Sequence, residues 1–200
     1  MQLAGNTWIP DHDTYFGNYF KGGDVFEQEN LDLALSFVKN FGVAVDGGAH
    51  VGSWTRYMAG KFDLVAAFEP KPENFECLVM NTLDCNNVVL SRFGLSDTEH
   101  EGALSVGNNS GCWHVTEGNE IRLMPLPDFW ALDFIKLDIE GYEHNALLGA
   151  IKQLYKYSPI VLIEEKDLPH KPQDYKARIL LESIGYRELA SIGRDVIFGH

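Results

Sequence analysis

The segment Asp46-Gly47-Gly48-Ala49-His50-Val51-Gly52 joins an apolar run to a stretch of helical period. A glycine-rich turn so placed leaves backbone N–H groups and a helix N-terminus facing a ligand, because the first N–H groups of a helix have no partner within it. As a dinucleotide fingerprint the register is wrong. With the outer glycines on Gly47 and Gly52, Ala49 falls where the middle glycine should let the backbone approach a pyrophosphate. Charge points the same way: Asp46 ends the strand before the turn, and a carboxylate there repels a pyrophosphate but suits a ligand bearing an ammonium and a sulfonium. S-adenosylmethionine is such a ligand. Gly47, Gly48, Ala49, His50 and Gly52 are then its contacts along the turn, and Asp46 is the carboxylate that attracts it. Taken alone, the glycines also fit a plain strand-turn-helix connection.

Phe68-Glu69-Pro70 ends the next strand and sets a second carboxylate at the same sheet edge, where it can hold both hydroxyls of a ribose. Nicotinamide dinucleotides contain ribose too, so Glu69 and Pro70 discriminate only together with Asp46. The most polar strand end is Phe134-Ile135-Lys136-Leu137-Asp138-Ile139-Glu140-Gly141, with Glu143 and His144 following in the next helix. Alternation puts Phe134, Lys136 and Asp138 on one face. Glu143 also fits the acidic first turn of a helix. Glu164 and Glu165 end the following strand at the same edge. Such carboxylates can organise a sugar, bind Mg²⁺ or Ca²⁺, or accept a proton; no metal is assigned. For methyl transfer to a hydroxyl, Asp138, Glu140 and His144 are the candidate bases, Asp138 also touching the donor, and His114 joins them if its segment folds over the site. Lys136, in a buried strand, needs a carboxylate partner and reads as structural.

These residues require a sheet that gathers strand ends along one edge. From residue 42 onward, β-rich runs at 43–46, 64–68, 88–91, 133–138 and 160–164 alternate with helical periods at 53–59, 72–84, 142–155 and 173–184. That is the pattern of a parallel sheet with helices on both faces. Residues 186–190 and 196–198, separated by Ser191-Ile192-Gly193-Arg194-Asp195, read as a hairpin closing the sheet antiparallel. Two regions interrupt the alternation. Residues 1–41 form a cover: aromatics Trp8, Tyr15, Phe16, Tyr19 and Phe20 among glycines and aspartates, then a helix over 27–39. Residues 98–130 read as a β insertion within the main domain of residues 42–200, with short strands at 103–106, 112–115 and 121–123.

The chain has 200 residues, 45% of them hydrophobic, enough for a full core in one domain. Its 16 basic and 29 acidic residues leave a net charge of −13, which argues against nucleic acid and against an anionic membrane surface. Cys77, Cys85 and Cys112 lack metal or disulfide spacing. Residues 1–25 show no basic start followed by an apolar run. The expectation is a soluble cytoplasmic protein of open oligomeric state, and the sequon Asn108-Asn109-Ser110 carries no weight.

With these residues in place, the sequence resembles the FkbM family of class I methyltransferases from about Gly42 onward. Three blocks carry the likeness: Val45 to Gly52, Ala67-Phe68-Glu69-Pro70-Lys71-Pro72-Glu73-Asn74-Phe75, and Ile135-Lys136-Leu137-Asp138-Ile139-Glu140-Gly141-Tyr142-Glu143. Leu95-Ser96-Asp97 and Leu147-Leu148-Gly149-Ala150 agree with it. The resemblance implies a Rossmann-like α/β fold with a seven-strand, mostly parallel sheet and an antiparallel last strand. It also implies S-adenosylmethionine as donor, and transfer to a hydroxyl of a sugar, glycan or small natural product. By class I analogy the adenine lies near Phe93 and Gly94. Two other classes stay open: a nicotinamide-dependent oxidoreductase, disfavoured by Asp46 and Ala49, and a non-catalytic binding module on a retained donor fold. A nucleic-acid methyltransferase is disfavoured by acidity and by the lack of an Asp/Asn-Pro-Pro-aromatic segment or a Pro-Cys nucleophile. Residues 1–25 are where acceptor choice is expected.

Overall fold

The computed structural model describes residues 1–22, 25–105, 114–165 and 175–200. β1 (Gln2–Ala4) and β2 (Thr7–Ile9) pair as a hairpin, and α1 (Thr14–Tyr19) runs into a 3-10 turn over Phe20–Gly22. Then come α2 (Gln28–Leu35), β3 (Val43–Gly47), α3 (Ser53–Ala59), β4 (Leu64–Phe68), α4 (Pro72–Asn81) and β5 (Val88–Ser91). β6 (Gly94–Leu95) precedes the insertion, which holds β7 (His100–Leu104) and β8 (Val115–Met124). The chain continues through β9 (Phe134–Leu137), α5 (Glu143–Gly149), α6 (Ile151–Tyr157), β10 (Ile160–Glu164), α7 (Lys176–Ser183), β11 (Arg187–Ile192) and β12 (Asp195–Gly199).

Seven strands form the main sheet in the order β11-β12-β10-β9-β3-β4-β5. β3, β4, β5, β9 and β10 are parallel, and β12 runs antiparallel to both β10 and β11. Strand order reverses between β3 and β9, the place where open sheets of this kind hold ligands at their carboxyl ends. β3 is buried along its whole length, as a central parallel strand covered on both faces must be. Its alternation divides the core: Val43 and Val45 pack toward α5, α6 and α7 through Leu147, Leu154 and Leu181, whereas Ala44 packs toward α2 and α3 through Leu31 and Met58. β7 and β8 of the insertion join β6 in a separate three-stranded sheet, β6-β8-β7.

The α/β architecture is the expected one, and the differences are local. The helix expected over 142–155 is two helices meeting at Ala150, because Gly149 lies against the backbone of another segment: a Cβ there would sit 2.0 Å from the Ser96 carbonyl oxygen. Gly149→Ala should therefore destabilise the fold by about 1–3 kcal/mol through overpacking, read as a fall in Tm of several degrees. α4 stops at Asn81 instead of residue 84, and the Asn81 side chain donates to the carbonyl oxygens of Trp8 and Val51 at 2.8 and 2.7 Å. The helix expected over 27–39 is the shorter α2, entered through Glu27 at φ +48. β7 and β8 replace the three short strands of the insertion. Residues 106 and 112–113 of those expected strands, the sequon, Cys112 and residues 173–174 lie outside the described residues. The N-terminal hairpin was not foreseen. Among the described residues no helix is long and apolar enough to cross a membrane.

Candidate functional site

The glycine turn is held from beneath by charge. Asp46, fully buried at the end of β3, accepts a hydrogen bond from Thr55 Oγ1 at 2.6 Å and pairs with Lys136 Nζ at 3.1 Å. Lys136, on the adjacent β9, also donates to the Gly48 carbonyl at 2.7 Å. Burial works against its charge, but Asp46, Asp138 and Glu69 outweigh that and hold its pKa above the ordinary lysine value. The partner required for Lys136 is thus Asp46. The turn needs its glycines: Gly48 has φ +74, and a Cβ on it would fall 2.0 Å from the Asp138 carbonyl oxygen. Three of its N–H groups are not free to meet a ligand. Those of Gly48 and Ala49 donate to the Phe68 carbonyl at 2.9 and 3.1 Å, and that of His50 donates to Glu69 Oε2 at 2.9 Å.

Glu69 leaves β4 almost buried, accepting also from the Lys71 N–H at 3.0 Å. Burial raises its pKa, against the backbone donors of Lys71 and His50. Withdrawal from water pushes His50 down to about 3; Asp13 opposes this, and Lys136 and Lys71 reinforce it, so the ring is neutral.

Above the turn lies a cavity of about 330 Å³, within the size range of small-molecule sites. Gly48, Ala49, His50, Glu69 and Pro70 line it on one side, joined by Gly94 of β6. Asp138 and Glu140 line it at the end of β9. Asp46, Gly47, Gly52, Phe93 and His144 are not among its lining residues. Phe93 packs on Phe68 with ring centroids 5.2 Å apart. His144 turns to α7, its Nδ1 3.2 Å from the Lys176 carbonyl. His114 comes up to the Glu140 backbone without lining the cavity: its Nδ1 lies 2.7 Å from the Glu140 carbonyl, a contact that requires the proton on that nitrogen.

The acidic end of the cavity is richer than the sequence suggested. Asp138, Glu140 and Glu164 each place a carboxylate oxygen within 4.8 Å of the others, close enough to be bridged by a divalent cation, and a hydrogen bond between Glu164 and Asp138 lets those two share a proton. Burial and the neighbouring Asp138 carry Glu164 up to about 8. Glu27 is carried up to about 7 by burial and by Asp195 and Asp138. Asp195 is also raised, chiefly by burial, although Asn30 Nδ2 donates to it at 2.7 Å. Glu165, next to Glu164, is outside this group and bonds Arg178 at 2.9 Å. Glu164 and Asp195 are direct partners across β10 and β12, a juxtaposition readable only once the antiparallel strand is placed. No local signal in the sequence marks Glu27. Tyr15, Phe16, Phe20 and Phe26 from the N-terminal segment and Leu104, Val115 and Leu123 from the insertion supply apolar walls. One end can accept two hydroxyls, and the other can hold positive charge and take up a proton.

Over residues 46–188 the sequence matches the Methyltransferase FkbM domain. Among solved structures the fold is similar to methyltransferase FkbM from Methylobacillus flagellatus KT, at 22% identity and a TM-score of 0.54, over 82% of this chain and 45% of that one. It is similar to precorrin-6y C5,15-methyltransferase from Geobacter metallireducens GS-15, at 18% identity and a TM-score of 0.55, over 88% of both chains. A SAM dependent methyltransferase from Aquifex aeolicus aligns at 17% identity and a TM-score of 0.51, over 91% of this chain and 96% of that one. At such identities the likeness is one of fold. This chain spans about half the length of the Methylobacillus protein, and no curated protein matches it at a significant level. The domain match begins at Asp46, takes in the glycine turn, Glu69 and the acidic end of β9, and runs into β11. With those residues set around one cavity on a class I sheet, the chain belongs to the FkbM methyltransferase domain family.

Proposed function

We propose that the chain binds S-adenosylmethionine in this cavity and transfers its methyl group to a hydroxyl oxygen of a sugar, glycan or small natural product. The observation that carries this reading is the polarity of the cavity: Glu69 at one end, Asp138, Glu140 and Glu164 at the other. The donor set suits the ligand. A carboxylate matches a vicinal diol, and carboxylates match a sulfonium and an ammonium. When bound, the donor supplies an electrophilic methyl group on a positively charged sulfur. In this reading Glu69 accepts the ribose hydroxyls, and Gly94 and Pro70 border the adenine. Asp138 and Glu140 face the reacting end, where either can take the acceptor's proton as its oxygen attacks. His144, turned to α7, has no part. The larger contribution is alignment of donor and acceptor. The aromatics of residues 1–25 close the acceptor side, and a net charge of −13 favours small or glycan acceptors over nucleic acid in a cytoplasmic setting.

Calorimetry with S-adenosylmethionine and with NAD tests the reading. Binding of NAD alone would overturn it in favour of an oxidoreductase. Donor binding without product across a broad acceptor screen would favour a binding module. A pH dependence follows as well. Glu164, at about 8 against an ordinary 4.5, keeps its proton at neutral pH, and a bound cation favours its ionised form. Donor binding should therefore release protons near neutrality, and affinity should rise as pH approaches about 8. The donor-free fold behaves oppositely: it binds more protons than the unfolded chain between 4.5 and about 8, so its stability falls as pH rises through that range. Titrations in buffers of different ionisation heat read the proton count, and zero release would contradict the assignment of this end of the cavity.

A further inference from the structure

Glu140 stands in a left-handed conformation, φ +58, and Gly141 follows at φ +92. A side chain with a Cβ is strained there, so the turn persists only if its surroundings impose it. Its backbone is held from two sides by side chains. Glu143 Oε1 accepts from the Ile139 N–H at 3.0 Å and from the Gly141 N–H at 3.2 Å, while the Glu140 carbonyl accepts from His114 Nδ1 at 2.7 Å. Within the segment itself the Tyr142 N–H bonds the Ile139 carbonyl at 3.3 Å. Glu143 is almost buried at the first position of α5 and is not among the residues lining the cavity, whereas Glu140 is among them.

We infer that Glu143 is a positioning residue: with His114, it locks the Ile139–Gly141 turn in the left-handed form that sets the Glu140 carboxylate beside Asp138 and Glu164 at the charged end of the donor. The inference rests on the donor reading above. A carboxylate so placed acts on the sulfonium charge, which S-adenosylhomocysteine lacks although it keeps the ribose, adenine and amino acid. Loss of Glu140's placement should thus weaken S-adenosylmethionine more than S-adenosylhomocysteine, whereas general damage to the site weakens both alike.

The experiment measures both dissociation constants by calorimetry in the full chain. Glu143→Ala should reduce the preference for S-adenosylmethionine over S-adenosylhomocysteine by about 10-fold through the lost charge contact. Glu143→Gln, which keeps the accepting oxygen, should restore most of it. Glu140→Gln should reproduce the loss, and adding Glu143→Ala to it should produce no further change, as for residues acting through one contact. His114→Ala should shift the preference in the same direction, and it supplies the readout should Glu143→Ala fail to fold. An unchanged preference in Glu143→Ala or His114→Ala, with normal wild-type binding, overturns the inference alone. Absence of binding of either ligand to the wild type overturns the donor reading and the inference with it.

Discussion

Lys136→Met should lower the stability of the fold by about 3–5 kcal/mol, the cost of leaving a buried charge without its partner. Asp46 is fully buried, and its carboxylate meets only Lys136 at 3.1 Å and Thr55 at 2.6 Å among the described partners. Methionine fills the volume of the lysine stem, so packing changes little and the loss is electrostatic. For a domain of this size the cost corresponds to a fall in Tm of roughly 10 °C. The second loss is the bond from Lys136 to the Gly48 carbonyl, which frees the turn, so donor affinity should fall too. Asp46→Asn combined with Lys136→Met removes both charges and should recover much of the stability, since an intact buried pair is nearly neutral against an apolar replacement. Chemical denaturation of the two single variants and the double variant checks the claim. A cost below about 1 kcal/mol for Lys136→Met, the range of an exposed pair, would show that water reaches the pair.

Glu69→Ala should weaken S-adenosylhomocysteine binding by about 100-fold, or near 3 kcal/mol, if two hydrogen bonds to a charged acceptor are lost at roughly 1.5 kcal/mol each. One carboxylate oxygen accepts the His50 N–H and the other the Lys71 N–H, and the Asn74 side chain bonds the same carboxylate, which leaves part of its acceptor capacity for the ribose. The same bonds fix the start of the loop after β4, so part of the effect comes from a looser site. Glu69→Gln keeps one accepting oxygen and should fall between the wild type and Glu69→Ala. Isothermal titration reads both, and an affinity within threefold of wild type in Glu69→Ala would remove Glu69 from the ribose contact.

The parallel strands were legible because a strand covered on both faces reads as an apolar run, and β3, β4 and β10 are such runs. Glu69, Asp138 and Glu140 were legible for a related reason: a carboxylate that closes an apolar run must emerge at a sheet edge. What depends on a distant partner was not legible. Asp46 and Lys136 were each conspicuous, yet their union follows from the pairing of β3 with β9, which places them side by side in register. The charge assigned to attracting a ligand is answered inside the protein. His144 sits where helical period alone cannot say whether a side chain faces the sheet edge or the next helix, and α7 takes it. Glu27 and Asp195 reach the cavity from opposite ends of the chain. The N-terminal hairpin has strands of only three residues, too short for alternation to register, and the N-cap Asp13, which accepts from the Phe16 N–H at 2.9 Å, was hidden among other aspartates.

β12 lies between β10 and β11, although it follows both in the chain. A ribosome therefore delivers β10 and β11 before the strand that joins them, and β10 keeps an open edge until synthesis has passed Gly199. A free parallel edge of apolar residues is a template for pairing with other chains, so the interval between making β10 and docking β12 is when a nascent chain is most exposed to misassembly. Asp195 arrives on that same strand. The cavity gains its Asp195 wall only as the gap in the sheet is filled, so a ligand that needs this wall should bind only chains in which β12 has docked.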